Sequence, residues 1–517
     1  MSLKYESGFV EALPAMGTTA VGQRQTVPHI CPKVVALLAA GTIALLLATR
    51  IGAEPIATGP GPGIGRASVP GPPDWNQIDA EALGYFRRYL QFDTSNPPGD
   101  TAAAIAFLRE ILNREGIATE TFAAQPGKVN LIARLPGSGN EKPLLLMSHA
   151  DVVPADAAKW SHPPFRADLA DGYIWARGAI DDKAHGIMAL MTMLALKRQK
   201  IPLRRGLEIM VNADEEVGGQ QGAAWMVANH WQSIDPAFAV NEGGGGRLNY
   251  LGSTGVTFAI AVAEKRVMWL RLTAHGKAGH GSEPNADNPN LILINALNRL
   301  LSVKPPLQLS PIFNQAMKGI APRMSFPDSF ELAHLELPLM MRAALSGPLS
   351  DYMAQALMRD TIAPTMLSSG LKVNVIPSTA EATLDCRLLP GSDPEAFLQR
   401  MRRLMDDPRI SIEFIQRPDL APPSPVEGEA WKAIENVVRR DFTDSIAVPS
   451  MTAGGTDSRF LRLKNVPAYG FVPIVLDRQE SARIHGVDER LSVENLNRGI
   501  RATYDLAVQL CGPYPAH

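Results

Sequence analysis

Two hydrophobic rhythms alternate along most of this chain. Short, predominantly apolar runs such as PLLLMS (143–148) and LEIMVN (207–212) read as strands buried on both faces. Between them lie helical periodicities. DAEALGYFRRYLQF places Leu83, Phe86, Tyr89 and Leu90 on one face, and after the turn DTSNPPGD a second helix runs through Ile105, Leu108, Ile111 and Leu112. HGIMALMTMLALKRQK reads as a further, strongly apolar helix. Buried strands separated by helices predict an α/β domain with a mostly parallel sheet covered on both sides. Such sheets bind ligands beyond the carboxyl ends of their strands.

Around residue 257 the rhythm changes. VMWLRLTAHG alternates like a half-exposed strand, NPNLILINALNRLLS reads as a helix, TAEATLDCRLLPG as a strand, DPEAFLQRMRRLM as a helix and ISIEFIQ as a closing strand. This order predicts a smaller α+β unit of ferredoxin-like type, with a one-sided antiparallel sheet, inserted into the first domain. The expected division is 74–256 and 419–517 for the catalytic domain and 257–418 for the insertion. Residues 305–362 show no clear period.

The amino-terminal part differs in kind. Residues 34–49, VVALLAAGTIALLLAT, are sixteen residues without a charge, preceded by Arg24 and Lys33. That is short for a membrane span of roughly 20 residues but ample for a secretory signal. A Gly/Pro-rich tether occupies 54–73. Residues 1–53 therefore read as an export signal, with an anchor at 34–49 as the alternative, and the folded part is expected outside the cytoplasmic membrane.

Composition changes this picture little. In 517 residues, 45% are hydrophobic and 20% charged, and 50 Lys plus Arg nearly balance 52 Asp plus Glu. That balance gives no electrostatic reason to expect nucleic acid or an anionic membrane as partner. The three cysteines, Cys31, Cys386 and Cys511, have no metal-binding spacing. A single bridge between Cys386 and Cys511 stays open.

Charge position is more informative than charge number. His149 and Asp151 end the first apolar run, one residue apart and so on one side of an extended backbone. Asp181 and Asp182 stand where a loop enters the apolar helix, either as N-caps or as ligands. LEIMVN runs into Asp214, Glu215 and Glu216, and Glu242 ends another apolar run in AVNEGGGG. In a parallel sheet these ends converge on one rim. Several carboxylates and a histidine in one cleft need a cation or raised pKa values. Mixed His and carboxylate donors suit zinc, and a bridging Asp suits a metal pair. His185 reads as structural. His485, before a helix capped by Ser492, and His280, in the glycine-rich AHGKAGHGSEP, are weak signals alone. Asp385 and Arg387 share one strand face, with Cys386 on the other. Arg387 is then either a surface charge or a carboxylate clamp.

Read in order, TSNPPG, MSHADVVP, WSHPPF, DGYIWARGAIDDK, ADEEVGG, NEGG, GKAGHGSEP, NVIP, DCRLLPG, TAGGTDSRF and IHGVDERLSVENL resemble the co-catalytic di-zinc peptidase family. That family includes carboxypeptidase S, glutamate carboxypeptidase, aminoacylase, acetylornithine deacetylase and succinyl-diaminopimelate desuccinylase. WSHPPF and NEGG look most like the carboxypeptidase S branch. The resemblance implies two Zn2+ per subunit, held by His149, Asp181, Glu216, Glu242 and His485, with Asp181 bridging. It implies Glu215 as general base, Asp151 orienting His149, and Asp214 left for support. It further implies a homodimer through the inserted domain, His280 stabilising an oxyanion in the neighbouring subunit, and substrate held by Asn374, Arg387 and Gly454–Gly455. Ala184 departs from the Gly common in the family. The implied substrate is a small peptide or N-acyl amino acid cleaved beside a free C-terminus. The alternatives are a non-catalytic relative binding the same ligands, and a membrane-anchored interaction protein.

Overall fold

The computed structural model describes residues 71–513. The signal, the anchor at 34–49, most of the tether and Cys31 lie outside them. Among the described residues no helix is long and apolar enough to cross a membrane.

Twelve strands carry the architecture: β1 (Ala118–Ala123), β2 (Val129–Leu135), β3 (Glu141–His149), β4 (Arg205–Asn212), β5 (Phe238–Leu248), β6 (Val256–Glu264), β7 (Arg266–His275), β8 (Thr361–Ser369), β9 (Thr379–Leu388), β10 (Ile410–Gln416), β11 (Ser445–Thr452) and β12 (Ala468–Leu476). Eight of them form one sheet in the order β1-β2-β4-β3-β5-β12-β6-β11. The pairs β3–β4, β3–β5, β5–β12 and β6–β11 are parallel. The β1–β2 and β2–β4 edge is antiparallel. Central strands are buried on both faces, as their largely apolar runs require.

Helix Lys183–Gln199 is buried from Lys183 to Leu196, which explains its apolar character all round. It lies against β3 and the helices Trp75–Leu90 and Val493–Cys511. In Trp75–Leu90 the buried face is Ile78, Ala82, Phe86, Tyr89 and Leu90, so Leu83 sits at its margin. Asp74 caps that helix, accepting from the N–H groups of Asn76 and Gln77. Ser492 caps Val493–Cys511 through Asn495 N–H, as its position predicts.

The second sheet has the order β8-β9-β7-β10 and is antiparallel throughout. Helices Pro289–Ser302 and Pro394–Met405 cover one face and share its core with Met268, Leu270, Leu384 and Cys386. This is the expected α+β unit, but its margins differ from the expected ones. The change of pattern at 257 falls inside β6, which belongs to the large sheet, and the small sheet begins one residue beyond Lys265. The unreadable stretch forms short helices, Pro311–Ile320, Asp328–Ala333, Pro338–Ala344 and Tyr352–Ala356. Their apolar residues pack with Val448 of β11, on the large sheet. Helices of five to ten residues offer too few turns for a period to emerge.

Cys386 and Cys511 are both buried and unpaired, in separate cores, so the bridge left open by the sequence does not form.

Candidate metal centre

The large sheet brings five ligand-type side chains to one rim. His149 is the last residue of β3, and Glu242 lies in β5 beside it. Asp181 precedes the helix Lys183–Gln199. Glu216 stands in a single 3-10 turn, Glu215–Val217, after β4, and His485 comes from the loop before Arg490–Ser492. The turn after β4 is made by local chemistry. Asp214 adopts φ 73, which aspartate tolerates better than most residues, and Gly222 passes Ala213 so closely that a Cβ would sit 1.8 Å from its carbonyl oxygen.

Asp181 is the hinge of the arrangement. His149 Nε2 lies 3.0 Å from its Oδ1, and His485 Nε2 lies 2.9 Å from its Oδ2. Glu242 Oε1 is 3.9 Å from His149 Nε2, and Glu216 Oε2 is 3.3 Å from His485 Nε2. Two groups result, His149–Asp181–Glu242 and Asp181–Glu216–His485, each with ligand atoms within 4.8 Å of one another. They share Asp181, as a bridging carboxylate would. His485 is 51% exposed, which puts its group at the solvent mouth, while His149 is buried at 2%.

Electrostatics show that protein groups alone do not neutralise this cleft. Burial holds the Glu215 carboxyl well above the usual range against the pull of His149, and Asp457, Asp181 and Glu216 add to the rise. Burial, then Glu215 and Asp181, do the same to Glu242. Burial opposes ionisation of Asp181, but its hydrogen bonds to His149 and His485 overcome this and hold its carboxyl low. The bond to Asp181 pushes His485 up to about 10, with Glu216 contributing. Burial works against a charged His149, yet the bond to Asp181 and the charges of Glu242, Asp181 and Glu215 raise it. Glu216 Oε1 is buried without a hydrogen-bond partner. A set of nitrogen and oxygen donors with an orphaned carboxylate oxygen fits divalent cations.

Asp151 meets the His149 ring through its backbone. The His149 ring is oriented by the Asp151 backbone carbonyl, 2.9 Å from Nδ1, whereas the nearest carboxylate oxygen is 3.7 Å away. The Asp151 carboxylate instead accepts the N–H groups of Glu215 at 3.1 Å and Glu216 at 3.2 Å, and that of Asn96 Nδ2 at 2.8 Å. Asp214 pairs with Lys128 at 2.7 Å and accepts Gln221 N–H. Asp182 forms no side-chain cap and accepts His149 N–H at 3.3 Å. His185 is fully buried behind it.

The other expected site residues lie elsewhere. His280 and Asn374 are exposed neighbours on a two-stranded ribbon of the small domain, where Gly281 N–H donates to Asn374 O. Arg387 lies on β9, its Nε and Nη2 donating to Asp385 at 2.7 and 2.9 Å. A Cβ on Gly455 would come 2.9 Å from Arg459 Nη1 and 3.5 Å from Val267, and Val267 is the register partner of Arg387. Gly454 has open space around it. Asp457 was not anticipated. It is buried under the Glu215 turn, takes Asn212 Nδ2 at 3.1 Å, and is pushed up to about 7 mainly by burial. Its place in TAGGTDSRF was the available signal.

Residues 145–509 match the model of peptidase family M20/M25/M40. This chain belongs to that family. The M20 chain is 32% identical over 374 residues to human N-fatty-acyl-amino acid synthase/hydrolase PM20D1, covering 71% of this chain and 73% of the relative. It is 29% identical over 374 residues to probable carboxypeptidase S-like 2 of Dictyostelium discoideum, covering 71% of each. Its fold resembles the M20 family metallo-carboxypeptidase Sso-CP2 of Sulfolobus solfataricus, with a TM-score of 0.64, 18% identity, and coverage of 83% of this chain and 99% of that one. The M20 chain is therefore a hydrolytic enzyme of peptidase, aminoacylase or amidohydrolase type.

Proposed function

We propose that this M20 hydrolase holds two zinc ions and cleaves an amide bond next to a free carboxylate, in a small peptide or an N-acyl amino acid. The observation that carries this reading is the shared Asp181, with one oxygen turned to each of two ligand groups and Glu215 near enough to feel the charges of His149, Asp181 and Glu216. His149, Asp181 and Glu242 would hold one ion, and Asp181, Glu216 and His485 the other. Bound there, a metal pair supplies Lewis acidity that makes water a nucleophile near neutral pH and polarises a carbonyl. Glu215 takes the proton from the attacking water and returns it to the leaving amine nitrogen. A raised carboxyl pKa suits that shuttle, because the group must both accept and donate near neutral pH.

A cavity of about 230 Å3 adjoins Asp181 and Glu242, walled by the glycines 243–246 and by Val472, Ile474, Leu476 and Ile484. Its apolar walls favour an acyl group there, in keeping with a relative named for N-fatty-acyl-amino acids. Arg387 would take the substrate carboxylate through Nη1, near the Gly454–Gly455 loop, while Asn374 would hold substrate from beside His280, beyond the other end of β9. His280 has Nδ1 held by Ser282 Oγ at 2.7 Å, which leaves Nε2 to donate to an oxyanion in the neighbouring subunit of a homodimer. The exposed Met366, Leu367, Leu371 and Val373 of the small domain favour such a contact. Residues 34–49 favour export, which recovery of the enzyme by cell fraction would test.

The deciding experiment is a hydrolysis panel of dipeptides and N-acyl amino acids, with and without chelator. Turnover of neither class, or turnover indifferent to chelation, would sink the reading.

A further inference from the structure

Asp181 and His485 reach the cleft on loops far apart in sequence, and neither loop belongs to the sheet. A buried ion pair joins them. Glu489, fully buried, accepts the N–H groups of Ile180 at 2.7 Å and Asp181 at 3.1 Å through Oε1. Its Oε2 accepts Arg177 Nη1 at 2.6 Å and Gly178 N–H at 3.2 Å. The other arm of the guanidinium, Nη2, donates to the carbonyls of Gly486 at 2.9 Å and His485 at 3.4 Å. Glu489 is on the His485 loop and binds the Asp181 loop, while Arg177 is on the Asp181 loop and binds back.

A buried ion pair adds little net stability, because desolvation offsets the attraction, so stability is a weak reason for this one. Geometry is a better reason. In the group His149–Asp181–Glu242, two ligands stand on sheet strands. In the group Asp181–Glu216–His485, all three stand on loops or a single turn, and two of those three are the stapled ones.

We infer that Arg177 and Glu489 are positioning residues that fix the span between Asp181 and His485, and that the outer metal site depends on them far more than the inner one. The inference rests on the two-metal reading above.

The test titrates metal-free full-length enzyme with Zn2+ against a competing chromophoric chelator and follows thermal unfolding of the same samples. Wild type is expected to take two equivalents. Glu489→Gln and Arg177→Lys are expected to keep one equivalent at wild-type affinity and to lose about 10- to 100-fold at the other, the range usual for groups that orient metal ligands. Variants that bind both ions like wild type while melting earlier would overturn the inference and make the pair a folding element only. Equal weakening of both sites would overturn it too. Should Glu489→Gln fail to fold, Arg177→Lys decides, since it keeps the charge beside Glu489 and loses the forked reach to Gly486 and His485. A wild type binding fewer than two ions would instead remove the two-metal reading itself.

Discussion

The carboxylate of Asp151 accepts the backbone N–H of Glu215 at 3.1 Å, so the residue beside the first metal-type histidine holds the turn that carries Glu215, the proposed base. The histidine ring needs only the Asp151 carbonyl. Asp151→Ala should therefore lower kcat about 10- to 100-fold, as loss of an orienting group does, while metal content stays near two equivalents. Parallel measurement of kcat and bound metal checks this. Loss of the ion held by His149 would mean that the carboxylate serves His149 after all, whereas loss of the other ion would act through Glu216, whose N–H the same carboxylate accepts.

Glu215 is expected to move the proton without binding the cation. Glu215→Gln should reduce kcat by about 10²- to 10⁴-fold, the usual worth of a general base, with KM and metal content little changed. Steady-state kinetics on the best substrate of the panel, with metal analysis of the same preparation, would show it.

Metal removal should cost stability as well as activity. Without a cation the clustered carboxylates of Asp181, Glu215, Glu216 and Glu242 face one another in a largely buried cleft. Free Zn2+ at a thousand times its dissociation constant would stabilise the fold by about 4 kcal/mol per site. Melting with chelator, then with Zn2+ restored, measures the difference, and an unchanged melting temperature would contradict the metal assignment.

Glu208, on β4 away from the cleft, gives a pH signature. Burial pushes its carboxyl up to about 7, although the charge and hydrogen bond of Arg134 pull it down. The folded form thus holds the proton more tightly than the unfolded chain. Its contribution is fully present below about pH 4.5 and is lost as pH rises through about 7. Glu208→Gln should be nearly neutral at pH 5 and stabilising by about 2 kcal/mol at pH 8. Urea unfolding at both pH values tests the sign.

The sequence made the elements legible where burial is uniform. Buried strands and the helix Lys183–Gln199 announce themselves by composition, and the candidate ligand residues by interrupting apolar runs with charge. What it concealed depends on the third dimension. Whether Asp151 acts through its carbonyl or its carboxylate follows from how the turn after β4 folds back. A loop without periodicity gives no sign of which side chains turn inward, so Asp457 stayed hidden although its motif was read. Strand β6 is apolar and buried like the other central strands, and the alternating pattern begins only in β7, so the expected margin at 257 falls one strand early.

The two described cysteines carry a last consequence. Burial pushes the Cys386 and Cys511 thiols up to about 12, and each sits unpaired in its own core. Thiols this protonated are poor nucleophiles and poor targets for oxidants. The two described cysteines thus stay thiols with or without glutathione, and thiol reductant should leave catalysis and melting untouched.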